Sequence, residues 1–266
     1  MSQDHISHKR AVLRIAGMER AAVRKDVVYR TTGAGPLTMD VYMPAQTGDG
    51  ARLPAVVLVA GYNDVGYEKM LGVKFKEMGM AISWGQLIAA SGLVAIAYTN
   101  REPAADLGAL LEHVRENAAS LQIDGDRLGV FAVSGNVPLA LWALMQPDRG
   151  FLRCAALLYG FMLDFDGSTG VAEAAQTFRF TNPNAGRPLE DLPDLPLFIV
   201  RAGQEQFPHL NDSIDRFLAS AIAANRPITF VNHATAPHSF DLMDDTETSR
   251  EIIRQALSFL ASRLTS

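Results

Sequence analysis

The chain has 266 residues, 48% of them hydrophobic and 20% charged, with a formal net charge of −5 and a pI near 5.7. That much apolar material supports a large core and excludes disorder as a global description, and the acidic balance argues against a nucleic-acid partner, which needs a basic face. Cys154 is the single cysteine, which excludes an intrachain disulfide and a cysteine-based metal cluster.

No apolar run reaches the length of a membrane span. The N-terminus lacks the continuous apolar core of a secretory signal, so no membrane partner and a reducing, cytoplasmic setting are expected. Residues 1–25 are polar and rich in Arg and His; they read as an N-terminal arm, docked on the surface or frayed. Residues 26–31 (DVVYRT) and 37–43 (LTMDVYM) read as strands joined through Gly33-Ala34-Gly35-Pro36, a hairpin. Residues 44–52 form a loop. Residues 55–60 (AVVLVA) are an uninterrupted apolar run, the pattern of a strand covered on both faces. Similar runs follow at 93–98, 128–133, 154–159, 197–201 and 228–231. Helical patterns lie between them. Residues 81–91 stop before Gly92. Residues 103–120 start at a Pro and place Leu107, Leu110, Leu111 and Val114 on one face. Residues 139–145, 211–224 and 246–264 complete the set. Trp84 and Trp142 fall in helices and read as core or pocket wall. Strands alternating with helices predict a mainly parallel sheet, here of eight strands led by an antiparallel hairpin, with helices on both faces. Residues 26–266 form one α/β domain. Residues 161–193 break the alternation. They are too long for an ordinary loop and carry Phe161, Phe165, Phe178 and Phe180 among several Gly and Pro, so a short lid insertion is expected there.

The chemistry centres on residues 129–138, GVFAVSGNVP. A buried strand runs into the turn Ser134-Gly135-Asn136, and Pro138 opens a helix, where its missing N–H costs little. A serine on a sharp strand-to-helix turn is a nucleophile elbow. The elbow pattern G-x-S-x-G has Ala132 and Asn136 at its outer positions here; Asn136 is the bulkier departure and a candidate to crowd the helix away from the strand. A hydroxyl needs a base, and the chain order Ser, acid, His leaves His209, His233 and His238 downstream. His238, in the loop APHSFD after the last strand, is best placed. The acid is Glu205 in RAGQEQF, with Asp212 as the alternative at a helix start, where acids also serve the dipole. Asp241, close to His238, is expected to cap or anchor the last helix. For an oxyanion hole, Gly135 N–H and Tyr62 N–H are the expected donors, with Gly61 and Asn63 as neighbours. Asn63, Asn136 and Phe161 are candidate substrate contacts. No metal-ligating spacing, dinucleotide fingerprint or phosphate loop is present, so no cofactor or metal is expected.

On these residues, together with ADLGALLEHVREN (105–117) and LFIVRAGQE (197–205), the chain resembles the α/β-hydrolase superfamily, in particular dienelactone-hydrolase-like small serine esterases. The resemblance covers residue 26 to the C-terminus. It implies the α/β-hydrolase fold, a nucleophile at Ser134, an acid at Glu205 and a base at His238. Its cysteine nucleophile has no counterpart, since Cys154 lies in the sixth strand. The implied activity is hydrolysis of carboxylic esters with small or medium acyl groups, on a small-molecule ester; a homodimer is left open. The same triad serves peptidases and C–C hydrolases, and the fold also serves as a non-catalytic ligand-binding scaffold.

Overall fold

A computed structural model of the chain describes residues 5–48 and 50–266. The strands are β1 (Ala22–Thr32), β2 (Gly35–Met43), β3 (Leu53–Leu58), β4 (Val94–Tyr98), β5 (Ile123–Val133), β6 (Leu152–Leu158), β7 (Leu197–Ala202) and β8 (Ile228–His233). The helices are α1 (Asp64–Leu71), α2 (Gly79–Ala90), α3 (Pro103–Glu116), α4 (Ala118–Leu121), α5 (Val137–Leu144), α6 (Val171–Phe178), α7 (Leu210–Ala223), α8 (Phe240–Met243) and α9 (Glu247–Thr265). The strands form one sheet in the order β1-β2-β4-β3-β5-β6-β7-β8. β1 and β2 pair antiparallel, β2 joins β4 antiparallel, and the remaining pairings are parallel.

The apolar runs account for this order. β4 and the second half of β5 are buried along their whole length, as strands covered on both faces must be. Side chains alternate along β5, so Gly129 and Phe131 share one face. Phe131 packs on Trp84 of α2, with ring centroids 4.1 Å apart, and Gly129 lies under Leu264 of α9. α2 and α9 therefore cover the same face, while α3 and α5, which touch each other and β5, cover the other. Among the described residues no helix is long and apolar enough to cross a membrane.

The N-terminal segment differs from the expected arm. Residues 22–25 belong to β1. Upstream of them Ala11, Leu13 and Met18 are buried in the core, Ala11 N–H donates to Ser83 Oγ at 2.9 Å, and Val12 N–H donates to the Asp241 carbonyl at 2.7 Å. Residues 1–4 of the expected arm lie outside the described residues. Asp241 does not cap α9. It sits in α8, buried, and accepts from Trp84 Nε1 at 2.8 Å and from Tyr159 Oη at 2.5 Å, tying α2, the end of β6 and the histidine loop together. The last helix is anchored instead by His233, whose Nε2 is 2.9 Å from Ser249 Oγ. The insertion between β6 and β7 carries α6 and a single 3-10 turn, Leu189–Asp191. Phe161, Met162, Leu163, Val171 and Phe180 bury it against the body.

Candidate active site

β5 delivers its last apolar residue, Val133, to the carboxyl edge of the sheet, and the chain turns at once into α5. The turn puts Ser134 at φ +55°, in the left-handed region, which costs a non-glycine residue of order 1–3 kcal/mol and is held only because its surroundings over-determine it. Gly160 is one of those surroundings. A Cβ there would lie 2.1 Å from Val137 Cγ2 and 3.0 Å from the Ser134 carbonyl. A Gly160→Ala substitution is expected to destabilise the fold by about 1–3 kcal/mol, read as a fall in the urea midpoint, and to slow any chemistry at Ser134 by shifting the turn.

Ser134, His238 and Glu205 meet above the sheet. Ser134 Oγ–H faces His238 Nε2 at 2.9 Å, and His238 Nδ1–H donates to Glu205 Oε2 at 2.5 Å. A carboxylate only accepts, so the neutral imidazole carries its proton on Nδ1 and leaves Nε2 free to receive one from the serine. Glu205 Oε1 accepts from the N–H groups of Gln206 at 2.8 Å and Phe207 at 2.9 Å. Its side chain is 1% exposed. Burial raises the Glu205 carboxyl, but the hydrogen bond and charge of His238 and the two backbone donors outweigh it and hold it below the ordinary value. Backbone bonds between the acid and base loops set their spacing, Gly203 N–H to the His233 carbonyl at 2.9 Å and Gln204 N–H to the Ala236 carbonyl at 2.8 Å. The imidazole is wedged between the rings of Tyr159 and Phe207, with centroids 5.0 and 4.6 Å away. Of the competing residues, His233 is committed to the start of α9, His209 precedes α7, and Asp212 is exposed on the first turn of α7.

The loop after β3 lies against the elbow. A Cβ on Gly61 would meet the Gly135 carbonyl at 2.6 Å and Asn136 Cα at 2.8 Å. Gly61 N–H donates to Asn136 Oδ1 at 2.7 Å, so Gly61 is spent as an oxyanion donor, contrary to its place among the candidates. The N–H groups of Tyr62 and Gly135 have no hydrogen-bond partner among the described residues. Asn63 does not face the site. It caps α1, its Oδ1 accepting from Gly66 N–H at 2.7 Å, and it is exposed. Asn136 does not crowd the elbow. It is buried at 5% exposure, and the room its backbone needs is the missing side chain of Gly61.

Ser134 and His238 open into a cavity of about 290 Å³. Phe161, Phe178 and Phe207 form one wall; Tyr67, Met70, Leu71, Met78 and Met80 form another, and Ile6 of the N-terminal segment reaches it too. No Asp, Glu, Lys or Arg lines it among the described residues. The methionine wall and Ile6 escaped the sequence reading, because residues 66–79 show no clear period and the N-terminal segment looks polar. Phe161, a candidate substrate contact, lines the cavity and stacks on Phe180 with ring centroids 4.9 Å apart.

No protein-family model matches the chain, and no curated protein does. Solved structures do. A thermophilic esterase from the planctomycete Thermogutta terrifontis superposes with a TM-score of 0.68 at 20% identity, over 92% of this chain and 93% of its own. EstE1, a thermostable carboxylesterase cloned from a metagenomic library, gives 0.67 at 19%, over 95% and 92%. An ester hydrolase from the metagenome of Lake Arreo, complexed with a bipyridine phosphonate derivative, gives 0.68 at 18%, over 94% and 88%. With the strand order above, these place the chain in the α/β-hydrolase fold.

Proposed function

We propose that this chain is a serine hydrolase that cleaves uncharged carboxylic esters of small or medium acyl groups. The observation that carries the reading is the unbroken hydrogen-bond line from Ser134 through His238 to Glu205, at 2.9 and 2.5 Å, opening into an apolar cavity. Ser134 Oγ attacks the ester carbonyl while His238 Nε2 takes its proton. The carbonyl oxygen becomes an oxyanion held by Tyr62 and Gly135 N–H. His238 returns the proton to the leaving alkoxide, and water releases the acid from the acyl-enzyme by the same relay. The ester hydrolases among the structural neighbours support this chemistry. A glutamate at the acid position supports the finer placement beside dienelactone-hydrolase-like esterases. Cys154 is no nucleophile in this scheme, since burial pushes its thiol up to about 12.

The cavity volume is at the small end of ligand pockets, which span about 300–1,000 Å³, and its walls hold no charge to pair with an anionic acyl group. Two measurements test the reading together. A fluorophosphonate probe is expected to label the chain, with the adduct mapping to Ser134. p-Nitrophenyl butyrate is expected to turn over at least about tenfold better than an ester of equal length ending in a carboxylate, since burying an unpaired carboxylate among these side chains is costly. An unlabelled Ser134, or a preference for the charged ester, counts against it.

A further inference from the structure

We propose that Asn136 is a positioning residue that locks the oxyanion loop onto the nucleophile elbow, at the place where the elbow pattern carries a glycine. The proposal rests on the esterase reading above and goes beyond it by assigning a task to a residue that touches neither nucleophile nor base in that scheme.

Two donors converge on one atom of Asn136, Gly61 N–H at 2.7 Å and Tyr67 Oη at 3.0 Å. A backbone N–H only donates, so that atom is the amide oxygen. Burial holds the Tyr67 phenol well above its ordinary value, which keeps its proton in place to orient Asn136. The Gly61–Tyr62 peptide is then held at its own carbonyl and through the peptides on either side of it. Asn136 holds the N–H of Gly61, and Thr181 N–H, from the insertion over the site, donates to the Gly61 carbonyl at 2.8 Å. In a planar trans peptide the N–H of Tyr62 points opposite to that carbonyl, away from Thr181. Asn100 Nδ2 donates to the Tyr62 carbonyl at 3.1 Å and holds the following peptide. Tyr62 N–H is thereby aimed with no rotational freedom of its own, as a preorganised oxyanion donor must be. The other donor, Gly135 N–H, is on the residue next to Asn136. One side chain therefore sets the register between both donors. A glycine at 136 would leave Gly61 N–H buried with no acceptor and the peptide before Gly61–Tyr62 without its hold.

The test compares wild type, Asn136→Ala, Asn136→Gly and Tyr67→Phe, with melting temperatures to establish folding. Asn136 lies at φ −85° and ψ −18°, so neither small residue strains the backbone. For p-nitrophenyl butyrate, both Asn136 variants are expected to lose about 10–100-fold in kcat with KM within about threefold, somewhat less than deleting a donor outright. Affinity for a trifluoromethyl ketone of matching length, which forms a tetrahedral adduct with a charged oxygen, is expected to fall in proportion to kcat/KM. Tyr67→Phe is expected to lose about two- to fivefold in kcat, because the Gly61 bond remains. Wild-type kinetics in a folded Asn136 variant overturn the proposal, and so does a change confined to KM, which would make Asn136 a substrate contact. Where neither Asn136 variant folds, Tyr67→Phe decides: a kcat loss at constant KM supports the proposal and wild-type kinetics overturn it. A wild type that hydrolyses no ester and leaves Ser134 unlabelled removes the esterase reading and this proposal with it, whereas an active wild type matched by its Asn136 variants removes this proposal alone.

Discussion

Replacing Ser134 with alanine is expected to lower kcat for p-nitrophenyl butyrate by about 10⁴–10⁶-fold and to abolish fluorophosphonate labelling, with KM changed little. Oγ is the atom of residue 134 that hydrogen-bonds His238, so its loss removes the covalent path and leaves only binding and the two N–H donors to act on an attacking water. That residue of catalysis sets the floor and is why the loss is finite. Alanine at 134 stays at the same positive φ, so the strain of the turn is unchanged. The melting temperature is therefore expected to stay within a few degrees of wild type, which separates lost chemistry from lost fold. A variant that keeps a tenth of wild-type turnover would show that the observed hydrolysis does not pass through Ser134.

The elements that were legible from the sequence share one property: their pattern is set by burial. β3, β4 and β7 are almost wholly inside the sheet, and their apolar runs are correspondingly clean. Ser134 and Glu205, which the structure brings together with His238, each follow such a strand at the carboxyl edge. His238 instead follows β8, an edge strand that is largely exposed rather than covered on both faces, and stood out by its place in the order that the fold prescribes. The misses came where a side chain's task depends on a partner distant in the chain. Asn63 and Asn136 are the same residue type near the same site, and nothing local distinguishes them. One caps the helix it begins, and the other reaches 75 positions back to Gly61. A volume argument at 136 alone predicts crowding, because the space it uses belongs to a glycine in another loop. The N-terminal segment failed for a related reason. Ala11, Leu13 and Met18 enter the core from an irregular stretch with no helical or strand period to mark an inner face, amid Arg and Lys that face solvent. α1 and α6 are eight-residue helices, too short to leave a convincing repeat.

Glu205→Gln is expected to cost about 10³–10⁴-fold in kcat while leaving the three side chains in place. The reason lies in how the carboxylate's two oxygens are used. Oε1 holds two backbone N–H donors, and Oε2 holds His238 Nδ1–H. Glutamine has a single oxygen. Facing two fixed backbone donors, it keeps that oxygen on them and turns its amide nitrogen toward His238. Nδ1 must then accept, the proton moves to Nε2, and the imidazole can no longer take one from Ser134. The amide also cannot stabilise the imidazolium that forms as the serine attacks. Stability should respond to pH in the same variant. The wild-type carboxyl lies below its ordinary value of 4.5 in the folded chain, so its ionised form contributes stability that is fully present above that value and is lost as the pH falls through the lower, folded one. Melting temperatures taken from pH 7 downward are therefore expected to fall more steeply below about pH 4.5 for wild type than for Glu205→Gln. Parallel curves would mean that the hydrogen bonds seen at Glu205 do not favour its charge. A kcat within tenfold of wild type would mean that the histidine finds its tautomer without this carboxylate, and the Ser134–His238 pair would then have to be treated as a dyad.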